Sequence, residues 1–371
     1  MLRITEKGNC CGCAACVQAC PKQCIRLVED EEGFLYPTVD ETKCVECGKC
    51  LKVYPMLQAS ESKAPVGVYA AANPDEEVRL KSSSGGVFSL LAEYVIKQGG
   101  VVFGAAFNER LEVVHLYAET MEGLAAFRGS KYVQSRIGTS YQDAESFLKS
   151  GRKVLFSGTP CQIAGLKSYL GKEYPCLLTV DFVCHGVPSP GIFKEYLEAQ
   201  PSPVTWVNFR DKRLCWKNYS ITLETSAGEK SEVFYNDEYM QGFLSNVFLR
   251  PSCYRCRFRT GRSGSDITLG DFWGIDKLRS EIDDDKGTSL VIANNKDADS
   301  LLKTLGCSLT EMPLEDAVMY NPSINTSVAM PSHRSLFFLT KKWLGLRNAL
   351  RLFCGNTLFS RAIRKACRLL L

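Results

Sequence analysis

Cys10, Cys13, Cys16 and Cys20, with Pro21 directly behind the last, follow the spacing C-x2-C-x2-C-x3-C-P. Tight turns of that length aim three thiolates at one iron-sulfur cubane and send the fourth to a neighbouring one. A second run, Cys44, Cys47 and Cys50, follows, and Ile25 to Val39, holding Gly33 and Pro37, is short enough for a hairpin between the two. Zinc modules set C-x2-C pairs against distant partners instead of running three or four thiols in series, so zinc and unbonded buried cysteines are set aside. Two clusters are expected. By crossed ligation Cys44, Cys47, Cys50 and Cys20 complete one of them. Cys10, Cys13 and Cys16 then lack a fourth thiol, because Tyr54 stands before Pro55 where a cysteine is required. A three-iron cluster, recruitment of Cys11 or Cys24, and an oxygen ligand all satisfy the sequence, and an altered ligand would shift the potential.

The chain that carries these runs has 371 residues, 45% hydrophobic and 23% charged, an ordinary globular composition with room for two or three domains. A formal charge of +4 is too small to argue for nucleic acid. It is also uneven, since Arg334 to the end holds nine Lys/Arg and no acid, leaving residues 1–333 net acidic. Met1 to Cys11 has no apolar signal core, and no stretch reaches the roughly 18 apolar residues of a membrane span. Eighteen cysteines in such a chain point to a reducing cytoplasm and metal ligation, not disulfides.

Ala59 to Pro65 reads as a polar linker, beyond which elements alternate in α/β fashion. Val87, Leu90, Leu91, Tyr94 and Val95 recur at helical spacing, and Gly99 and Gly100 stop that helix before a strand from Val101 to Phe107. Tyr141 to Leu148, Cys161 to Leu170 and Gly191 to Ala199 read as helices, and Val154 to Phe156 and Leu177 to Val183 as strands. The expected body is α/β with a mostly parallel sheet, preceded by a small α+β ferredoxin domain. Val204 to Phe209, Tyr219 to Leu223 and Val233 to Tyr235 suggest an inserted antiparallel portion.

Three loops of the body could do chemistry. Ser82-Ser83-Ser84-Gly85-Gly86 opens a helix, so unpaired N–H groups, hydroxyls and the positive dipole end converge where a cofactor phosphate could sit. Taken alone, a serine cap with turn glycines explains the same residues, and no GxGxxG fingerprint accompanies them. Phe156 to Gln162 (FSGTPCQ) puts Cys161 in the first turn of a helix, at the carboxyl edge of the sheet where α/β ligands bind and where the helix end lowers a thiol's pKa. Cys161 could be a ligand, a nucleophile or a small buried residue. Cys184-His185-Gly186 ends the next strand on the same edge, Cys253-x2-Cys256 supplies a pair, and Asp266 to Gly274 reads as a strand ending in a turn. Two single cysteines and one pair would hold a third cluster.

In order, SSGGVFSLL, RGSKYVQS, FSGTPCQIAGL, VDFVCHGVPSP, CYRCRF and SDITLGDFWG make roughly residues 66–295 resemble the beta subunit of coenzyme F-420 (deazaflavin) hydrogenases and dehydrogenases. The resemblance implies that Cys161, Cys184, Cys253 and Cys256 ligate a 4Fe-4S cluster beside FAD. It also implies flavin contacts at Ser84, Gly85, Gly86, Gly129, Ser130, Lys131, Tyr132, Thr159, Gln162 and Asp271. Lys131 could offset phosphate or anionic reduced flavin, or be a solvated charge. Asp271 could meet ribose or ring, or form a turn. His185 is either a proton donor near the flavin or a residue that fixes the Cys184 loop, and His115 belongs to core or surface.

The expected organisation is a ferredoxin-like dicluster domain over 1–58, a linker over 59–65, a flavin-binding body over 66–330 and a basic amphipathic tail over 331–371. The tail, with Phe337, Phe338, Trp343, Leu344, Leu346, Leu350 and Phe353 among Lys341, Lys342, Arg347, Arg351, Arg361, Arg364, Lys365 and Arg368, suits a helix docked on the body, an acidic partner, or a helix on the anionic inner face of a membrane. The expected protein is a cytoplasmic flavin- and iron-sulfur-dependent oxidoreductase. Electrons from ferredoxin or another redox protein pass through two or three 4Fe-4S clusters to FAD and on to a small-molecule or glycan-pathway substrate or coenzyme F-420, or the reverse. A non-catalytic electron-transfer subunit and a cluster-based redox sensor are the other readings.

Overall fold

The computed structural model describes residues 2–57, 61–355 and 358–370, the side chains of 366 and 368–370 excepted. Residues 59 and 60 of the expected linker lie outside the described residues, as do Leu371 and the side chain of Arg368 in the tail. The remainder of the linker, 61–65, carries no helix or strand, and Ser62 donates its hydroxyl to the Thr260 carbonyl at 2.9 Å.

Between the two cysteine runs, β1 (Ile25–Glu29) and β2 (Leu35–Val39) form the expected antiparallel hairpin, with Ile25 opposite Val39 and Glu29 opposite Leu35. Its turn is closed by the Asp30 carboxylate, which accepts from the N–H groups of Glu32 and Phe34. Gly33 sits there at φ 83°, and a Cβ on it would meet the Gly191 Cα at 2.6 Å, so the hairpin tip lies directly on the body. Short helices, Ala15–Gln18 and Lys49–Lys52, follow the two runs.

The body is built on β3 (Gly67–Ala72), β4 (Val101–Phe107), β5 (Val113–Ala118), β6 (Val154–Gly158) and β7 (Leu177–Phe182). Three further strands, β8 (Val204–Asp211), β9 (Ser220–Thr225) and β10 (Gly228–Val233), form a separate antiparallel sheet in the order β10-β9-β8, the expected insertion. With β11 (Ile267–Asp271), β12 (Ser289–Ala293) and β13 (Ser308–Glu311), the main sheet has eight strands in the order β13-β3-β12-β11-β7-β6-β4-β5. Its centre, β11-β7-β6-β4, is parallel, and β5, β12 and β13 run against it. Every residue of β6 and of β12 is buried, as for strands covered on both faces. The antiparallel members were not legible as such: β12 (SLVIA) has only the apolar run shared by either orientation.

The expected helices appear as Val87–Ile96, Ser140–Lys149, Pro160–Leu170 and Pro190–Glu198. One expectation is corrected. The third strand of the inserted sheet is Gly228–Val233, not Val233 to Tyr235, because an exposed edge strand carries Glu229, Lys230 and Glu232 instead of apolar residues.

The cysteine module is not a bead on a string. Cys11, Cys13, Ala15, Cys16, Val53, Tyr54 and Met56 share one buried apolar cluster with Tyr141, Leu148, Phe156, Ile163, Leu166 and Phe258 of the body. The 160–170 helix can approach so closely because residue 165 is glycine: a Cβ there would lie 2.8 Å from the Cys13 Cβ. In the tail, helices Arg334–Leu344 and Leu346–Phe353 dock on the body, where Arg334 pairs with Glu32 at 2.5 Å, Arg351 with Glu238 at 2.8 Å, and Lys341 with Glu195. Among the described residues no helix is long and apolar enough to cross a membrane. Gly165→Val is expected to cost about 1–3 kcal/mol by overpacking. Urea denaturation of the anaerobic protein should show an earlier midpoint, and an unchanged one would contradict the close approach of this helix to Cys13.

Candidate metal centres and cofactor loops

The second cysteine run lines a small open cavity shared by Cys20, Cys24, Cys44, Cys47 and Cys50, with Ile25, Val39 and Val45 among its apolar walls. Cys20 has crossed over to this site, as the spacing requires. Cys24 is here too, its thiol 3.3 Å from that of Cys20. Burial opposes ionisation of Cys20, yet the N–H and thiol of Cys24 hold its pKa below the ordinary value.

Cys10, Cys13 and Cys16 are buried together at the other end of the module. Burial first, then the charges of Cys10 and Cys50, push Cys16 up to about 12. Arg250 reaches into this site from the body, donating from Nε to the Cys10 carbonyl at 2.7 Å, from Nη2 to the Cys10 thiol at 3.5 Å and to the Leu35 carbonyl at 3.0 Å. Its Nη1 donates to Gln134 at 2.9 Å, and Gln134 in turn donates to the Cys11 carbonyl at 3.0 Å. Tyr54, standing for the absent cysteine, is buried beside Cys10, Cys11, Cys13 and Cys16 and donates its hydroxyl to the Asn9 carbonyl. Cys11 and Cys13 share one buried cluster with the body, and Cys161 packs against it.

The third group assembles from three places. Cys161 lies one residue into the 160–170 helix after β6, Cys184 two residues past β7, and Cys253 and Cys256 in and just after the 3-10 turn Pro251–Arg255. The parallel centre brings β6, β7 and β11 to one carboxyl edge, which is why residues so distant in sequence meet. Their thiols act on one another: burial raises Cys184 most, followed by the charges of Cys253, Cys161 and Cys256. Cys253 is pushed up to about 12, by burial first, and its sulfur accepts from the Val187 N–H at 3.4 Å. Cys161 corrects a simple expectation. Its pKa is raised, not lowered, because the neighbouring Cys11 thiol and burial both favour the protonated form.

Thiols held this high are protonated unless a metal displaces the proton, so metal binding here must release protons. Among the described residues no three His, Cys, Asp or Glu side chains meet at the spacing of a single ion. Groups of three and four thiols with no other donor type are the ligand chemistry of iron-sulfur clusters.

The loops expected to hold a flavin form two neighbouring assemblies. In the first, Ser130 donates from its N–H and hydroxyl to Ser83 Oγ at 2.6 and 2.9 Å, joining the 82–86 loop to the 129–132 loop. Arg210, which sequence reasoning missed, donates to the Ser83 carbonyl at 3.0 Å, to Asp271 at 2.9 Å and to the Tyr132 hydroxyl at 3.3 Å. Trp216, also missed, donates to Asp271 at 3.0 Å and stacks on Trp273 with ring centres 4.9 Å apart. Both come from the inserted segment, which carries no motif. The serine hydroxyls of the Gly-rich loop are spent internally, that of Ser82 on the Val78 carbonyl and that of Ser84 on the Thr288 carbonyl. Gly85 is required by a close strand, since a Cβ would meet the Ala71 oxygen at 2.4 Å, and Gly86 caps the 87–96 helix at φ 81°.

The 129–132 loop is more open. A Cβ at Gly129 would find open space. Lys131 is half-buried and folded back on its own loop: its ammonium donates to the carbonyls of Ala126 and Arg128 at 2.8 and 2.9 Å, and desolvation pulls its pKa down to about 7. In the second assembly Thr159 and Gln162 form a capping box, and Gln162 donates to Ser135, which meets His115 at 3.0 Å. His115 is a core residue held near pKa 4 by burial. His185 is fixed at 2.5 Å from Asn246 and lowered by burial, the geometry of a loop anchor.

Residues 151–311 match the family model for the C terminus of the beta subunit of coenzyme F420 hydrogenase/dehydrogenase, and residues 9–55 match a 4Fe-4S dicluster domain. Over 173 residues the chain is 27% identical to the coenzyme F420-dependent sulfite reductase of Methanocaldococcus jannaschii, covering 44% of this chain but only 26% of that protein. A chain from the xenon-derivatised F420-reducing NiFe hydrogenase complex of Methanosarcina barkeri superposes over 75% of this chain and 93% of its own, with 17% identity and a TM-score of 0.47. Cys253→Ser is expected to remove about four irons per chain while sparing the N-terminal clusters. Unchanged iron in that variant would separate Cys253 from metal binding.

Proposed function

We propose that the chain is an iron-sulfur flavoprotein oxidoreductase, because residues 151–311 match the coenzyme F420 hydrogenase/dehydrogenase beta subunit family model and residues 9–55 match a 4Fe-4S dicluster domain. Electrons from a ferredoxin-like donor enter through the N-terminal clusters, cross to the Cys161, Cys184, Cys253 and Cys256 site, and leave through FAD to an organic substrate or coenzyme F-420, or travel in reverse. The observation that carries this reading is the packing of Cys11 and Cys13 of the N-terminal module and Cys161 of the body into one buried apolar cluster, which sets the two thiol sites side by side.

Clusters move single electrons, and a flavin supplies the pairing that hydride chemistry needs. The chain's own residues have simpler tasks. Cys47 is exposed, so the second N-terminal site can meet a soluble donor. The apolar cluster around Cys11, Cys13 and Cys161 excludes water between the sites. Lys131 and the 129–132 loop would hold the anionic part of the cofactor, and Arg210 with Trp216 keeps the Asp271 carboxylate oriented at the rim. Domain limits of 1–58, 66–330 and 331–371 belong to the same reading. So does peripheral contact with an anionic membrane, for which Leu339, Trp343 and Leu344 are exposed near Lys342 and Arg347.

A second reading, an electron-transfer subunit that serves a separate catalytic chain, is favoured by the match covering only 26% of the sulfite reductase. Released-flavin analysis of the anaerobic protein, followed by mixing with reduced ferredoxin and with reduced F-420, separates the two. Bound FAD that bleaches with either donor is expected. Lys131→Gln should weaken flavin retention about tenfold, or about 1.4 kcal/mol. Iron without flavin would overturn the flavoprotein reading and leave the subunit reading standing.

A further inference from the structure

We infer that the Cys10, Cys13 and Cys16 site holds a three-iron cluster whose vacant corner is filled by Tyr54. This rests on the reading that the N-terminal module carries clusters, and specifies the nuclearity of one of them.

Each other candidate for the fourth ligand is committed elsewhere. Cys24 lines the cavity of the second run, with its thiol 3.3 Å from Cys20. Cys11 is close, but it is buried in the apolar cluster against which Cys161 of the 160–170 helix packs. The peptides on either side of it are both clamped, which fixes where its Cα stands. The Cys10 carbonyl is held by Arg250 at 2.7 Å and the Cys11 carbonyl by Gln134 at 3.0 Å. The following residue, Gly12, sits at φ 73°, and a Cβ on it would be 2.6 Å from Gln134 and 2.8 Å from Arg250, so this backbone has no slack.

That leaves Tyr54, which replaces the sulfur with a ring. Its side chain is buried among the thiols, and its hydroxyl donates to the carbonyl of Asn9, which aims the O–H at the backbone and away from a ligand's role. A site that offers three thiolates and fills the fourth position with carbon is complementary to a cubane lacking one iron. Nuclearity is a main determinant of potential, so this cluster differs from its four-iron neighbours in the electron it will accept.

Electron paramagnetic resonance distinguishes the two, because an oxidised three-iron cluster is paramagnetic and oxidised four-iron clusters of this type are silent. The full chain, purified anaerobically, reconstituted with excess ferrous iron and sulfide and then mildly oxidised, is expected to show one such signal at about one spin per chain. Tyr54→Cys should abolish it and add one iron per chain. Tyr54→Phe and Cys11→Ser should each retain it, which tests the assignment independently of whether the cysteine variant folds. A silent oxidised protein that contains iron would overturn the proposal. So would loss of the native spectrum in Tyr54→Phe, which would identify an oxygen ligand, and so would a signal that appears only in Cys11→Ser, which would identify Cys11. Absence of iron after reconstitution would instead defeat the cluster reading beneath it.

Discussion

The guanidinium of Arg250 is fully buried, and its partners are three oxygen acceptors, one thiol and the faces of Tyr36 and Phe34, none of them a carboxylate. An unpaired buried cation costs several kcal/mol, so this one requires negative charge nearby, which metal ligation of Cys10 and its neighbours would supply by displacing their protons. The same residue joins the two halves of the chain. Its N–H bonds the Val187 carbonyl at 3.0 Å, tying it to the loop after Cys184, and Cys253 follows three residues on. One side chain therefore orients the first N-terminal site against the loop and turn that carry the body's thiols. Removing it would leave both without their common counter-charge.

The 160–170 helix makes the matching connection on the other side. Its first turn carries Cys161, and the bare face at Gly165 receives the Cys13 loop. Thr159 and Gln162 cap it with a closed pair of hydrogen bonds, so Cys161 is held on a rigid element and not on a loose loop. Ile163 and Leu166 are buried in the apolar cluster shared with the module. An apolar interface of this kind opposes free thiolates, so it suits thiols that are protonated or metal-bound.

How much of this was legible in the sequence follows from the range of each interaction. The cysteine runs were readable because a C-x2-C turn is local, and the 160–170 helix because proline, cap and apolar spacing all agree. Cys161, Cys184 and the Cys253 pair came from residue types at strand ends and from the resemblance. Arg250 was not readable: its bond to Cys10 spans 240 residues, and an arginine before a proline carries no signal of burial. Arg210 and Trp216 were missed for the same reason, as their value lies in reaching Asp271 from an insertion. The serines of the Gly-rich loop were over-read, because a hydroxyl beside a helix start can as well bond a neighbouring carbonyl, as Ser84 does.

The claim on which the rest turns is that the module and the body form one conduit through the Cys11 contact between Cys13 and Cys161. Magnetic coupling between reduced clusters measures it directly. The fully reduced protein should give a resonance broadened by spin-spin interaction between the N-terminal clusters and the body cluster, and Cys253→Ser should simplify it to the N-terminal component alone. A native spectrum equal to the simple sum of isolated clusters, unchanged in line width by that substitution, would contradict a shared path.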